Sequence, residues 1–372
     1  MGSKRAQLNS SLGELLEGLL EPSCRFVDLF SGSGVVSYFA ATSCSAEVTS
    51  VDLENFAVVL ARSVVSRTRP ISAEVLISEW LAPSLKQASS AYYDVHGWTV
   101  PPGELCHPDV IEARRVCSSS SDDFVRSYGG FYFSPYQAWC IGWLRRHLPD
   151  EEVVSDVCLA SLIMGASDCC ASPGHTAQPF GIGSKGLKYI DCSWRRDLGH
   201  YIARALRKIG PLHAEIAGTA VRGDALEFAQ SLRGDEIVFL DPPYSDVQYS
   251  RFYHVLEGIA CGGYSEVYGS GRMPSIDFRQ QSAFSRKSSS FAAMETLIGI
   301  LGRVGCKVVV TFPQENASNG LSSTLIESLA EQYYYVDSSY IPWSSSTLGG
   351  AKSGRGGRIV KNEAMMLLMP RG

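Results

Sequence analysis

An apolar run at residues 236–240 ends in Asp241-Pro242-Pro243-Tyr244. Proline locks its own φ at about −65° and pushes the preceding residue into an extended conformation, so the Asp241 carboxylate and the Pro242 carbonyl stand side by side as rigid acceptors. A planar amino group offers two donors to such a pair. When both are accepted, the nitrogen lone pair is drawn out of ring conjugation toward a tetrahedral geometry, from which it attacks a carbon electrophile. Tyr244 is placed to stack on the ring that carries the amine. The arrangement points to methyl transfer onto a nucleobase. A turn closing a buried strand would use the same residue types, so the companions of the tetrapeptide decide.

Those companions lie at the ends of other strands. Residues 25–30 form a short apolar run followed by Ser31-Gly32-Ser33-Gly34 and then by residues 35–41, which continue as a helix. A glycine loop between strand and helix lets backbone N–H groups and a helix N-terminus approach a ligand closely. Ser37 stands where a dinucleotide fingerprint needs a third glycine or alanine, which disfavours a nicotinamide cofactor. A second strand, residues 47–51, ends in Asp52, placed to bond ribose hydroxyls, with residues 57–65 as its following helix. A third, residues 214–221, ends at Gly223-Asp224, where the carboxylate is placed to accept from an adenine amino group, and residues 225–232 read as helix. Asp28 lies toward the aminoacyl end of such a ligand. S-adenosylmethionine fits this set of acids on one sheet edge, the edge at which open α/β sheets bind ligands. Residues 307–312 are another buried strand, and residues 333–340 and 364–369 a final antiparallel pair. A mainly parallel sheet with crossover helices is the economical fold.

Residues 72–194 break the alternation. They hold a serine-rich stretch, clustered aromatics at 128–136 and a helical run at 137–148, and read as an inserted, mainly helical domain between catalytic halves at 1–71 and 195–372. The small, turn-rich loop 171–181 carries Ser172 and His175 and has the shape to enter a DNA groove. The helix at 196–209 packs through Leu198, Tyr201, Ile202, Ala205, Leu206 and Ile209 and shows His200, Arg204 and Arg207 on the other side. Past the tetrapeptide, Arg251 and His254 at helical spacing, and Arg279, Arg286 and Lys287 in a serine-rich stretch, are candidates to grip phosphates. Basic residues also cluster at 185–208 and 352–361.

The formal net charge of −5 means that a nucleic-acid surface must be local. At 372 residues and 45% hydrophobic, the chain can bury more than one core. No apolar run reaches the roughly 18 residues that span a bilayer, and the first residues lack a signal-peptide core or a myristoylation pattern, so a cytoplasmic protein is expected. Eleven cysteines, scattered mostly in apolar stretches, suit reduced thiols better than a disulfide framework. Cys169, Cys170, His175 and Cys192 match no standard zinc spacing, and no metal is expected.

In this order of motifs the sequence resembles the Dam-like adenine-N6 DNA methyltransferases. Gly2-Ser3-Lys4-Arg5 is similar to that family's N-terminal lysine motif, Asp28-Leu29-Phe30-Ser31-Gly32-Ser33-Gly34 to its phenylalanine-glycine motif, Asp52 to its ribose acid and residues 241–244 to its catalytic motif. Residues 358–363 before the last strand are similar to its closing element. The resemblance implies a class I methyltransferase-like doubly wound sheet, mainly parallel with one antiparallel strand, a helical recognition domain, and double-stranded DNA as substrate. It further implies Lys4, Asp52 and Asp241 near the cofactor; Asp28, Phe30, Gly32, Gly34 and Asp224 complete the candidates for holding S-adenosylmethionine, and a restriction or defence-system protein is the candidate partner. The family's Asn-Gly-Leu recognition hairpin is not reproduced in residues 165–181, and residues 245–254 also depart from Dam, so target sequence does not carry over. The rival readings are an RNA adenine or guanine amino methyltransferase, a DNA-binding sensor that holds the cofactor without turnover, and a nicotinamide-dependent oxidoreductase.

Overall fold

Short runs of β-branched and aromatic residues bounded by glycine, proline and aspartate make strands that are buried on both faces, the pattern of a parallel sheet. A computed structural model of the chain describes residues 4–345 and 359–371. Gly2 and Ser3 of the N-terminal motif, and Lys352, Arg355 and Arg358 of the basic loop, lie outside the described residues. The chain divides into two units, one made of Met1–Leu53, Ala214–Gln248 and Gln281–Gly372, the other of Glu54–His213 and Tyr249–Gln280.

The first unit carries seven strands: β1 (Arg25–Asp28), β2 (Glu47–Asp52), β3 (Thr219–Arg222), β4 (Ile237–Leu240), β5 (Lys307–Pro313), β6 (Tyr334–Ser345) and β7 (Ile359–Pro370). They pair in the order β3-β2-β1-β4-β5-β7-β6. Strands β1 to β5 run parallel, and β7 is inserted antiparallel between β5 and β6. This is the mainly parallel α/β sheet with one reversed strand that the resemblance implied, consistent with a class I methyltransferase fold. Val238, Leu240, Val308, Val310 and Phe312 are fully buried in the core, where Leu297 and Leu301 of the helix Ser290–Val304 also lie. From β1 the winding runs one way to β2 and β3, and the other way to β4 and β5. The crevice outside the carboxyl ends of β1 and β4 is therefore the switch point at which open sheets bind ligands. Asp28 and Asp241 lie there.

The second unit is mainly helical, with a two-residue ribbon pairing Val267–Tyr268 and Met273–Pro274. It is larger than the expected insertion of 72–194. The helix Asn55–Val65, which the sequence reading gave to the catalytic half, has its first N–H groups, those of Asn55 and Phe56, bonded by Glu257 of the helix Tyr249–Cys261 at 3.1 and 3.0 Å. Its Arg62 forms a two-pronged pair with Asp156 at 2.7 and 2.6 Å. These buried polar ties, and not the chain's alternation, decide which unit the helix joins. The helix Leu198–Ile209 buries Leu198, Ile202, Ala205, Leu206 and Ile209 as expected, while Tyr201 is half-buried under Arg204. Among the described residues no helix is long and apolar enough to cross a membrane, and all eleven cysteines are free thiols.

Leu240 is wholly buried at the point where β4 hands over to the tetrapeptide. Leu240→Ala should cost about 2–5 kcal/mol of stability through lost burial and a residual cavity. A urea midpoint close to that of the unaltered protein would show that β4 is not part of the core.

Candidate active site

The sheet register brings the site together. Leu240 pairs with Val310 across β4 and β5, so Asp241, one residue further, comes beside Thr311. Pro313 pairs with Glu363 across β5 and β7. Side chains two apart on a strand share a face, so Thr311 and Glu363 project to the same side. The helix Lys4–Leu8 supplies the cation for that side. Lys4 Nζ lies 3.1 Å from Asp241 Oδ1 and 2.7 Å from Glu363 Oε1, and donates to Thr311 Oγ1 at 2.9 Å. An ammonium has three protons, and each has an acceptor here. Thr311 donates its own hydroxyl hydrogen bond to Asp241 Oδ1 at 3.1 Å, and Gln7 donates to Glu363 Oε2.

Glu363 is 3% exposed, whereas Asp241 keeps 27% of its side-chain surface open. Burial raises the Asp241 pKa above the ordinary carboxylate range; Lys4 opposes that shift and Glu363 adds to it. Burial alone would lower the Lys4 pKa, but the two carboxylates outweigh it and the ammonium is held more firmly than in water.

Next to this cluster, β1 ends in Asp28, which is 1% exposed. Ser37 donates to Asp28 Oδ2 at 2.7 Å and Ser50 donates to Ser37 at 2.8 Å. Burial lifts the Asp28 carboxyl to about 7; the bonds from Ser37 and the Phe30 N–H oppose the rise, and Asp241 and Asp52 add to it. Gly32 and Gly34 both take left-handed conformations, with φ of +50° and +72°. A Cβ on Gly32 would meet nothing nearer than the Phe30 carbonyl at 3.8 Å, so open space lies over the loop. The Gly32 N–H donates to Asp52 Oδ2 at 2.8 Å, which joins the end of β2 to the loop. Gly34 caps the helix Val35–Thr42. Phe30 meets Phe284 edge-on at 5.0 Å. An open backbone cradle beside three carboxylates suits a cationic ligand. Asp224 already has a task, since its Oδ1 caps the helix Ala225–Ala229 through the N–H groups of Leu226 and Glu227 at 2.8 and 3.4 Å.

The loop after Asp241 is tied down along its length. Asn319, fully buried, donates to the carbonyls of Pro243 at 2.7 Å and Phe284 at 2.9 Å. The Asp246 N–H donates to Ser318 at 3.0 Å, and the Gln248 amide exchanges two hydrogen bonds with the Ser282 backbone at 3.0 and 2.7 Å. Tyr244 packs partly buried against the core. Sequence reasoning assigned no role to Gln7, Thr311, Asn319 or Glu363. Only Glu363, inside the closing element, carried a signal.

The phosphate candidates fare unevenly. Arg251, Arg286 and Lys287 are exposed. His254 is not: it is 1% exposed, its ring nitrogens face the carbonyls of Arg251 and Gly271 at 3.2 and 2.8 Å, and burial lowers its pKa to about 4. A neutral ring enclosed by backbone does not reach a phosphate, and the expectation for His254 is corrected. In loop 171–181, Ser172 donates to Cys170 Sγ at 3.4 Å, His175 stands edge-on to Phe252 at 5.1 Å, and both the N–H and the hydroxyl of Thr176 donate to the Phe252 carbonyl. Within the basic stretch 185–208, Arg195, Arg204 and Arg207 pair with Asp191, Asp168 and Glu74, while Lys185 and Lys188 are exposed. Among the described residues no three His, Cys, Asp or Glu side chains gather to hold a metal ion.

Comparison with known proteins bears on the same segment. Residues 201–296, which include the tetrapeptide, match a family model for D12 class N6 adenine-specific DNA methyltransferases. The match covers about a quarter of the chain and is a similarity of that stretch to the D12 class. The chain is also 34% identical over 294 residues to the type II methyltransferase M.FokI of Planomicrobium okeanokoites, a match covering 74% of this chain and 39% of that protein. It is 26% identical over 273 residues to the type II methyltransferase M.NlaIII of Neisseria lactamica, covering 73% of this chain and 70% of that one. The chain thus spans well under half of the first of these relatives.

The raised Asp28 pKa has a measurable sign. Between the ordinary carboxylate pKa and about 7 the folded protein binds a proton that the unfolded chain has lost, so this residue makes stability fall as pH rises through that window and level off above it. Asp28→Asn should flatten that fall, matching the unaltered protein near pH 4 and exceeding it above pH 7. Urea midpoints at the two ends of the window check this; parallel pH curves for both proteins would contradict it.

Proposed function

We propose that this chain is a site-specific DNA methyltransferase that moves a methyl group from S-adenosylmethionine to the N6 amino group of an adenine flipped out of duplex DNA. The observation that carries the reading is the Asp241 carboxylate, ion-paired to Lys4 at the carboxyl end of β4 and inside the D12-class segment. S-adenosylmethionine, when bound, supplies the electrophilic methyl carbon. Its sulfonium and ammonium charges suit an edge lined by Asp28, Asp52 and Asp241, and the open backbone at Gly32 suits close approach.

Flipping a base costs a few kcal/mol, and stacking on Tyr244 returns roughly 1–3 kcal/mol of it. Asp241 and the Pro242 carbonyl accept the two amino protons and aim the nitrogen lone pair in line with the methyl carbon. Asp241 would take the surplus proton of the methylated ammonium once the methyl carbon of bound S-adenosylmethionine has passed to the amino nitrogen and the donor has left as the neutral thioether. The chain's contribution is alignment and fixed charge, which suffices for large accelerations without a strong base. Arg251, Arg286 and Lys287 hold phosphates, and Ser172 and His175 face the duplex from their loop. The type II designation of both relatives supports a restriction partner and a cytoplasmic setting.

Asp241→Ala should lower methyl incorporation into adenine-containing duplex DNA by at least about 10²–10³-fold while S-adenosylmethionine still binds. Labelled-methyl transfer and calorimetry measure the two effects. Unchanged turnover removes Asp241 from the mechanism, and faster labelling of structured RNA than of duplex DNA favours the RNA reading instead. Replacing Arg286 and Lys287 together by alanine should weaken DNA binding and reduce the slope of log affinity against log salt by about 2, one for each lost phosphate contact. An unaltered slope would remove both from the interface.

A further inference from the structure

The ammonium of Lys4 and the hydroxyl of Thr311 both fall on one oxygen of the catalytic carboxylate, Asp241 Oδ1. Glu363 accepts from the same ammonium through Oε1 at 2.7 Å and from Gln7 through Oε2. A lysine side chain has four rotatable bonds and swings unless each donor is occupied. A single carboxylate would be straddled by a free ammonium, which would engage both oxygens in turn. With Glu363 and Thr311 taking two of the three protons, Lys4 has one left for Asp241.

We propose that Glu363 and Thr311 are positioning residues for methyl transfer: acting through Lys4, they confine its contact to Asp241 Oδ1 and reserve Oδ2 for the substrate amino group. This rests on the methyltransferase reading above. Glu363 comes from β7 and Thr311 from β5, so the reversed strand brings Lys4 a second carboxylate partner beside Asp241. The charged and titratable groups facing Asp241 are Lys4 from the first helix, Glu363 from β7 and Asp28 from β1.

The two residues act on Asp241 with opposite sign. Glu363 is an anion, so Glu363→Gln should let Asp241 titrate at lower pH. Thr311 is a donor to the carboxylate, so Thr311→Val should make it titrate at higher pH. Carbon-13 resonances of labelled aspartate carboxyls, with Asp241 assigned from Asp241→Asn, read this without any turnover. In methyl-transfer assays on duplex DNA, both variants should lose about 10- to 100-fold in kcat through a misaligned acceptor, with KM for DNA and for S-adenosylmethionine changed less than about threefold, and Thr311→Ser should restore most of the loss. Displacements of the two titrations in the same direction, or wild-type kcat in both variants, would overturn the proposal. Should Glu363→Gln fail to fold, the Thr311→Val and Thr311→Ser pair decides by the same measures. Opposed shifts in the two variants, with no methyl transfer by the wild-type protein, would retire the enzymatic reading and leave the carboxylate arrangement standing.

Discussion

Lys4 brings one positive charge to two carboxylates, Asp241 and Glu363, in a place that water barely reaches. Burying charges is costly unless geometry and extra hydrogen bonds compensate, and removing one partner from such a group leaves an uncompensated ion worth several kcal/mol. The cluster meets that condition: the ammonium has three acceptors, Thr311 both accepts and donates, and Gln7 takes the far oxygen of Glu363. One negative charge is still left over. Asp28, on the adjoining strand, holds its proton up to about pH 7, chiefly because its own burial disfavours the charged form, with Asp241 and Asp52 adding to the shift. The edge of the sheet is therefore short of positive charge, which is the electrostatic reason a cationic methyl donor suits it.

The same edge is stiff. Asn319, Ser318 and the Gln248–Ser282 pair fasten loop 241–248 to two other loops of the first unit. A loop held by its own backbone groups loses little entropy when a substrate arrives, so alignment is present before binding. Asn319 illustrates how such a residue escapes notice: it is an ordinary asparagine in a turn, and its importance lies in which carbonyls it reaches.

Most strands were legible because parallel strands buried on both faces must read as unbroken apolar runs, as 237–240 and 307–312 do. Strand β3 is shorter than the run 214–221 suggested, since only Thr219–Arg222 pairs with β2. The turn at Asp241 and the loop at Gly32 and Gly34 were legible as backbone features because proline and glycine constrain the chain whatever surrounds them, and both glycines do take positive φ. His254 was misread because helical spacing next to Arg251 says nothing about which face is enclosed. Thr311 was unreadable, and Glu363 carried only the signal of the closing element: a threonine and a glutamate within strands acquire this role from register, Leu240 against Val310 and Pro313 against Glu363. The placement of the helix Asn55–Val65 with the second unit likewise depends on Glu257, some two hundred residues downstream.

Lys4 and Glu363 meet across 359 positions of sequence. A contact between residues so far apart along the chain exists only while β7 stays paired with β5, so any fraying of that strand also frees the ammonium, and one ion pair reports on the integrity of the whole sheet edge.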